Sequence, residues 1–223
     1  MLDPRLRLAA DFVREGSRVA DIGTDHAHLP IALVQEGRCP SAIASDIRQG
    51  PVDNARRNIE QAGLDGVISV RLGDGLHTVR SDEVEDILIA GMGGETIAAI
   101  LDEAPWVQNA RYRLILQPMT RAEKLRAYLF EKGFALHPEK TTRVGRHWYT
   151  VLCAEYTGQP TAASEALCYV GRISPTEGDG YLQTVETRLQ RQQKAHPTEV
   201  GTDRLQQIRR YRRGEWTPWE EKR

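Results

Sequence analysis

Val19-Ala20-Asp21-Ile22-Gly23-Thr24-Asp25-His26 reads as a short apolar strand running into a sharp glycine turn. In an open α/β sheet, that turn lies where a ligand meets the carboxyl ends of the strands. Gly23 has no Cβ, so its backbone can come close to such a ligand. Working outward, short apolar runs fall at 18–22, 42–47, 67–72, 86–90 and 113–117, each closed by Gly, Asp or Pro. Amphipathic helical stretches are expected between them at 30–36, 52–61, 95–101 and 122–132, with Gly37, Gly63 and Gly133 as stops. This alternation predicts an α/β domain over 1–157, Rossmann-like, with a mostly parallel sheet. Past Gly133, residues 134–142 and 147–156 flank Val144-Gly145-Arg146 and predict a terminal antiparallel hairpin. From 158 to 223 the composition shifts to Gln, Arg and Glu. Leu182, Val185 and Leu189, then Leu205, Ile208 and Tyr211, mark two helix stripes parted by Pro197, so a small antiparallel helical appendage is expected.

Carboxylates recur at the strand ends. Asp46 stands 25 residues after Asp21, where a doubly wound nucleotide-binding fold sets the acid that holds a ribose diol, and Ile47 lies beside it. Asp74 follows at the next strand end, between Gly73 and Gly75, free to reach a base edge. Three strand ends thus point to a nucleoside. The dinucleotide pattern G-x-G-x-x-G is missing, because Asp25 and His28 occupy its later glycine positions and a carboxylate there repels a pyrophosphate. A ligand with a cationic amino-acid end suits Asp21 and Asp25 instead, and S-adenosylmethionine is such a ligand.

The run 86–90 leads through Ala90 into Gly91-Met92-Gly93-Gly94, a turn that backbone-lines a flat substrate site with a helix N-terminus behind it. It carries no side-chain acceptor for an exocyclic amine. That suits a ring nitrogen, whose lone pair attacks once donor and acceptor are aligned. Gln117-Pro118, at the next strand end, is placed to line the same site.

Composition bounds the partners. The chain has 223 residues, with 30 Lys and Arg against 31 Asp and Glu, so nucleic acid must be met by a local patch. The longest stretch without a charged side chain is ten residues, His26 to Gln35, far short of the ~20 needed to span a bilayer. With charges throughout the first fifteen positions, no signal peptide is expected, and a cytoplasmic location follows. Cys39, Cys153 and Cys168 form no metal or disulfide pattern and read as reduced thiols.

At these motifs the chain resembles the TrmK family, the bacterial tRNA (adenine(22)-N1)-methyltransferases, class I enzymes that use S-adenosylmethionine. The resemblance covers residues 2 to about 157. L-D-P-R-L from Leu2, D-I-G-T-D-H-A-H-L-P from Asp21, Asp46 with Gly50-Pro51, L-G-D-G-L from Leu72 and A-G-M-G-G from Ala90 carry it. It implies that Gly23, Thr24, Asp25 and His26 border the methionine end of the cofactor, that Asp46 holds the ribose and Asp74 the adenine amine. Residues Ala90 to Gly94 would face the target base. The partner it implies is tRNA, and Arg209, Arg210, Arg212 and Arg213, with Arg204, supply a cationic cluster for phosphates, while Arg5, Arg7 and Arg14 form a second. Trp216 and Trp219 either stack bases or pin the tail. No metal is expected, and a monomer is favoured.

Three other readings stand beside this one. The chain can serve another RNA or a small-molecule acceptor. Asp25-His26-Ala27-His28 also fits the H-x-H pair of metal-dependent hydrolases, although the remaining histidines do not fall at later strand ends. The third is a non-catalytic RNA-binding module on the same fold.

Overall fold

The protein was analysed as a computed structural model, which describes residues 2–218. The parallel strands are β1 (Val19–Ile22), β2 (Ala42–Asp46), β3 (Ile68–Leu72), β4 (Asp86–Gly93) and β5 (Arg113–Thr120). The helices are α1 (Pro4–Ala10), α2 (His28–Gln35), α3 (Gln49–Gln61), α4 (Gly94–Asp102) and α5 (Ala122–Glu131). Next come β6 (Phe134–Leu136), β7 (Lys140–Val144) and β8 (His147–Tyr156), then α6 (Glu165–Val170), α7 (Asp179–Ala195) and α8 (Glu199–Arg212).

The sheet runs β3-β2-β1-β4-β5-β8-β6, parallel through β5 and antiparallel at β8 and β6, with β7 paired to β8 off this path. Its order reverses at β1, which makes the β1 turn the switch point where ligands bind. Strand residues alternate between two cores. Ala20, Ile22, Ile87, Ile89, Leu114 and Leu116 pack with Ile97, Leu101, Leu125 and Leu129 on the side of α4 and α5. Val19, Leu88 and Ile115 pack with Ala9, Leu33, Ala55 and Ile59 on the side of α1, α2 and α3. This two-residue period over two covered faces explains why the central strands read as continuous apolar runs.

Two expectations need correction. The run 134–142 is two strands, because Pro138 has no N–H to give a ladder and the Glu139 carboxylate is turned inward to Arg126. Strands β4 and β5 run on past Ala90 and Gln117 with a register shift between Ala90 and Met92, a bulge at the ligand edge. The appendage is a helix pair as expected, parted at Pro197, with Thr198 capping α8 by accepting the Gly201 N–H at 3.0 Å. Helix α6 has only six residues, too few to show a stripe. Its Leu167 and Cys168 join the α4–α5 core, while Val170 joins the separate cluster of α7 and α8. All three cysteines are free and buried. Among the described residues no helix is long and apolar enough to cross a membrane.

Candidate active site

The five parallel strands deliver their carboxyl ends to one edge of the sheet, and a cavity of about 400 Å³ opens there. Asp21, Gly23, Thr24, Asp25, His26, Ala90, Gly91 and Gln117 line it together with Arg5, Leu6 and Arg48. Asp21 forms its polar floor and is only 7% exposed. Burial pushes its carboxyl up to about 6, opposed by the Thr24 hydroxyl and reinforced by the nearby charge of Asp46. Thr24 also accepts the N–H of Ala27 at 3.1 Å, which holds Ala27 left-handed at φ +54°. Such a backbone is costly for a residue with a Cβ and recurs where a loop is held for function. Gly23 needs its glycine for φ +80°, and the flexible thioether end of Met92 rests in the space beside it.

Gln117 is buried and fully engaged. Its Oε1 accepts the Gly91 N–H at 3.1 Å and its Nε2 donates to the Pro118 carbonyl at 3.0 Å. This fixes the β4 bulge with Gly91 at φ +80° and leaves the Gly91 main chain exposed toward the cavity. Asp25 and His26 sit at the rim, with carboxylate and Nε2 3.2 Å apart. The His26 and His28 rings stack at 5.3 Å, but no group of three or more His, Cys, Asp or Glu suited to a metal exists among the described residues.

Asp46, Ile47, Gly73, Asp74 and Gly75 lie at the adjoining ends of β2 and β3, outside the cavity lining. Arg48 links the two regions, since it lines the cavity and gives Asp46 Oδ1 its main-chain N–H at 2.8 Å. Beside Asp46, Ile47 is 59% exposed and Leu72 53%, two apolar side chains open at neighbouring strand ends. Asp74 is exposed, and Gly75, at φ +47°, packs its backbone on Ile100 of α4.

Several expectations change. Met92 and Gly93 fall outside the cavity lining, and Gly94 serves packing, because the Arg121 carbonyl occupies the place of its Cβ with the Thr120 carbonyl 3.1 Å away. Pro118 is buried and borders a neighbouring cleft. Arg5 faces the cavity, anchored to Asp3 at 2.9 Å, instead of an outer phosphate surface, while Arg7 pairs with Glu36 at 2.7 Å and Arg14 is held by Asp86. Arg209 and Arg212 both bind Glu186, Arg212 also binds Asp179 and Arg204 binds Glu165, so these three tie helices together. Arg213 lies 3.7 Å from Glu215, and Arg210 is exposed. Trp216 packs on Tyr211 and pins the tail; Trp219 lies outside the described residues. Sequence reasoning missed Leu6, Arg48 and Leu72. Leu72, apolar at a strand end, carried a local signal, and Leu6 closes the L-D-P-R-L stretch.

A sequence model of a methyltransferase domain matches residues 2–152. Over 166 residues the chain is 40% identical to the tRNA (adenine(22)-N(1))-methyltransferase of Bacillus subtilis strain 168, a match spanning 74% of this chain and 69% of that one. The chain belongs to the tRNA (adenine(22)-N1)-methyltransferase family. Solved structures agree with the family assignment along nearly the whole length. The B. subtilis m1A22 tRNA methyltransferase TrmK superposes with a TM-score of 0.77 at 32% identity, covering 96% of each chain. A Streptococcus pneumoniae protein in complex with S-adenosyl-L-methionine gives 0.85 at 35% identity, covering 95% of this chain and all of that one. TrmK from M. capricolum, bound to S-adenosyl-homocysteine, gives 0.79 at 26% identity, covering 96% of this chain and 98% of that one. Family membership thus extends over the helical appendage, which these neighbours share.

Proposed function

We propose that the β1 turn, the cavity beside it and the ends of β2 and β3 together hold S-adenosylmethionine, for methyl transfer to N1 of adenine 22 in tRNA. The chain is an S-adenosylmethionine-dependent tRNA adenine-N1 methyltransferase; which residues do the work is our assignment. The observation that carries it is Asp21, a carboxylate 7% exposed at the cavity floor, whose ionised form is supported among the described residues by the Thr24 hydroxyl alone. An ammonium bound there supplies the missing counter-charge. Arg5 and Arg48 line the same cavity and suit the carboxylate of an amino-acid ligand. Asp46 is set for a ribose diol, exposed Ile47 and Leu72 for the faces of an adenine, and Asp74, between Gly73 and Gly75, for its amine. Gly23, Thr24, Asp25, His26 and Ala90 border the amino-acid end.

Bound in this way, S-adenosylmethionine supplies an electrophilic methyl on a sulfonium. The chain's part is alignment. Gln117 holds the Gly91 main chain open, and the β4 bulge at Gly91 offers a flat base a backbone-lined approach beside Ala90. The adenine N1 lone pair then needs no general base before attack. Arg210 and Arg213 are the members of the C-terminal cluster left to meet tRNA phosphates, while Arg209 and Arg212 keep α8 on α7. Residues 1–157 form the catalytic domain and 158–223 the appendage. The protein works in the cytoplasm as a monomer, without a metal.

The test is transfer of labelled methyl from S-adenosylmethionine to unmodified tRNA, with the product nucleoside identified by mass after digestion. Label in N1-methyladenosine is expected; label in any other nucleoside overturns the assignment. Affinity should also follow pH. With its carboxyl at about 6, Asp21 is neutral below that pH and cannot pair with an ammonium. Cofactor affinity is therefore level above about pH 6 and falls toward tenfold per unit below it, and Asp21→Asn removes the dependence. For the free protein the sign is opposite. A raised carboxyl stabilises the fold below its unfolded value of about 4, and that contribution is lost as pH rises toward 6. Calorimetric titration between pH 5 and 8 checks the first statement, and thermal melts between about pH 4 and 7 the second.

A further inference from the structure

A second cleft of about 300 Å³ lies against the first, between the turn that joins β5 to α5, the β7–β8 hairpin and α7. Arg121, Arg146, Arg188, Trp148 and Tyr149 line it, and Pro118, next in sequence to Gln117 of the first cavity, forms part of its wall. The partition between the two cavities is Arg5, whose guanidinium donates to the Met119 sulfur at 2.9 Å and lies over the Tyr149 ring at 5.1 Å. The cleft is cationic. Arg188 pairs with Glu123 at 3.1 Å and Arg121 approaches the same carboxylate at 3.9 Å, whereas Arg146 is exposed and makes no ion pair among the described residues. Trp148 stands in the wall with its indole against Gly180 of α7, where any side chain would collide with it. The described residues other than glycine with positive φ are Ala27, in the first cavity, and Arg121, at φ +58°, in the second. A held, unfavourable backbone thus marks both clefts.

N1 of adenine lies on its pairing edge, so the base must leave the stack to be methylated, and the strand beside it must be held in its displaced path. Arginines for phosphate with an aromatic wall for a base are how proteins hold such single-stranded nucleotides. We propose that this second cleft seats a nucleotide flanking the target adenosine, its phosphate on Arg121 and Arg146 and its base against Trp148. The inference rests on the reading of the chain as a tRNA methyltransferase.

Binding of end-labelled tRNA by fluorescence anisotropy, measured across salt concentrations in the full-length protein, tests it. The double variant R121Q/R146Q is compared with R111Q, an exposed arginine at the opposite end of the sheet. The double variant is expected to raise the tRNA Kd about tenfold and to lower the salt slope by about 1.4, two single-strand phosphate contacts, with S-adenosylmethionine affinity unchanged. W148A is expected to raise the Kd about tenfold at an unchanged slope and W148F to restore most of the loss. If wild type methylates tRNA while the double variant matches R111Q, the cleft assignment alone is overturned. If W148A binds as wild type does, the cleft holds no base, and the nucleotide assignment falls. If wild type neither binds nor methylates tRNA, the functional reading fails and takes this inference with it.

Discussion

Asp46→Ala is expected to raise the Kd for S-adenosylmethionine roughly a hundredfold. Asp46 is 6% exposed at the end of β2, and its Oδ1 is fixed by the Arg48 N–H at 2.8 Å, so the carboxylate is pre-aimed before any ligand arrives. Two ribose hydroxyls donating to it form charge-assisted bonds of about 1.5–3 kcal/mol each, and alanine leaves them without that acceptor. A loss of about 3 kcal/mol corresponds to about two decades in Kd. Asp46→Asn keeps the shape and loses the charge, and should fall between wild type and alanine. Isothermal titration reads the effect directly, with circular dichroism confirming the fold. Unchanged affinity in Asp46→Ala would falsify the ribose assignment.

The largest stability effect is expected at Arg126. Its guanidinium is almost wholly buried, with Nε and Nη2 donating to the two oxygens of Glu139 at 2.9 and 2.7 Å and Nη1 donating to the Cys168 and Tyr169 carbonyls at 2.8 and 3.2 Å. Glu139 in turn accepts the Thr150 hydroxyl at 2.9 Å and the Arg172 N–H at 3.0 Å. One ion pair thereby joins α5, the start of the hairpin, β8 and the end of α6. Arg126→Ala leaves a carboxylate buried and unpaired, at about 3–5 kcal/mol. For a chain of this length that lowers Tm by about 10 °C or more. Replacing both partners with apolar residues of matched volume should recover much of the loss, since a buried pair contributes little net stability over good packing. A melt of Arg126→Ala within 2–3 °C of wild type contradicts this account.

Strand ends were the legible part of this molecule. Asp21, Gly23, Thr24, Ala90 and Gln117 reach one cavity because each lies at the carboxyl end of a short apolar run that stands out in the chain itself. Less legible was anything set by a partner remote in sequence. The β4 bulge depends on Gln117 reaching Gly91, 26 positions away, and nothing local at Gly91 announces it. Arg209 and Arg212 read as a free cationic cluster because Glu186 and Asp179, which hold them, lie on the facing helix α7. Arg5 was assigned to an outer surface for the same reason, since only the fold turns α1 over the sheet edge and brings Tyr149 and Met119 beneath it. The second cleft draws on three separate segments and leaves no motif at all.

The contact of Gly94 with the Arg121 carbonyl bears on how this chain can vary. Most tight contacts in a core are side chain against side chain, and a larger residue on one side can be answered by a smaller one on the other. Here the obstacle to a side chain at 94 is main chain, which every amino acid brings in equal measure. No replacement at 120 or 121 makes room. Position 94 has no compensating partner, and the spacing between the start of α4 and the turn that begins α5 is inherited as a single unit, fixed by two segments that cannot drift independently.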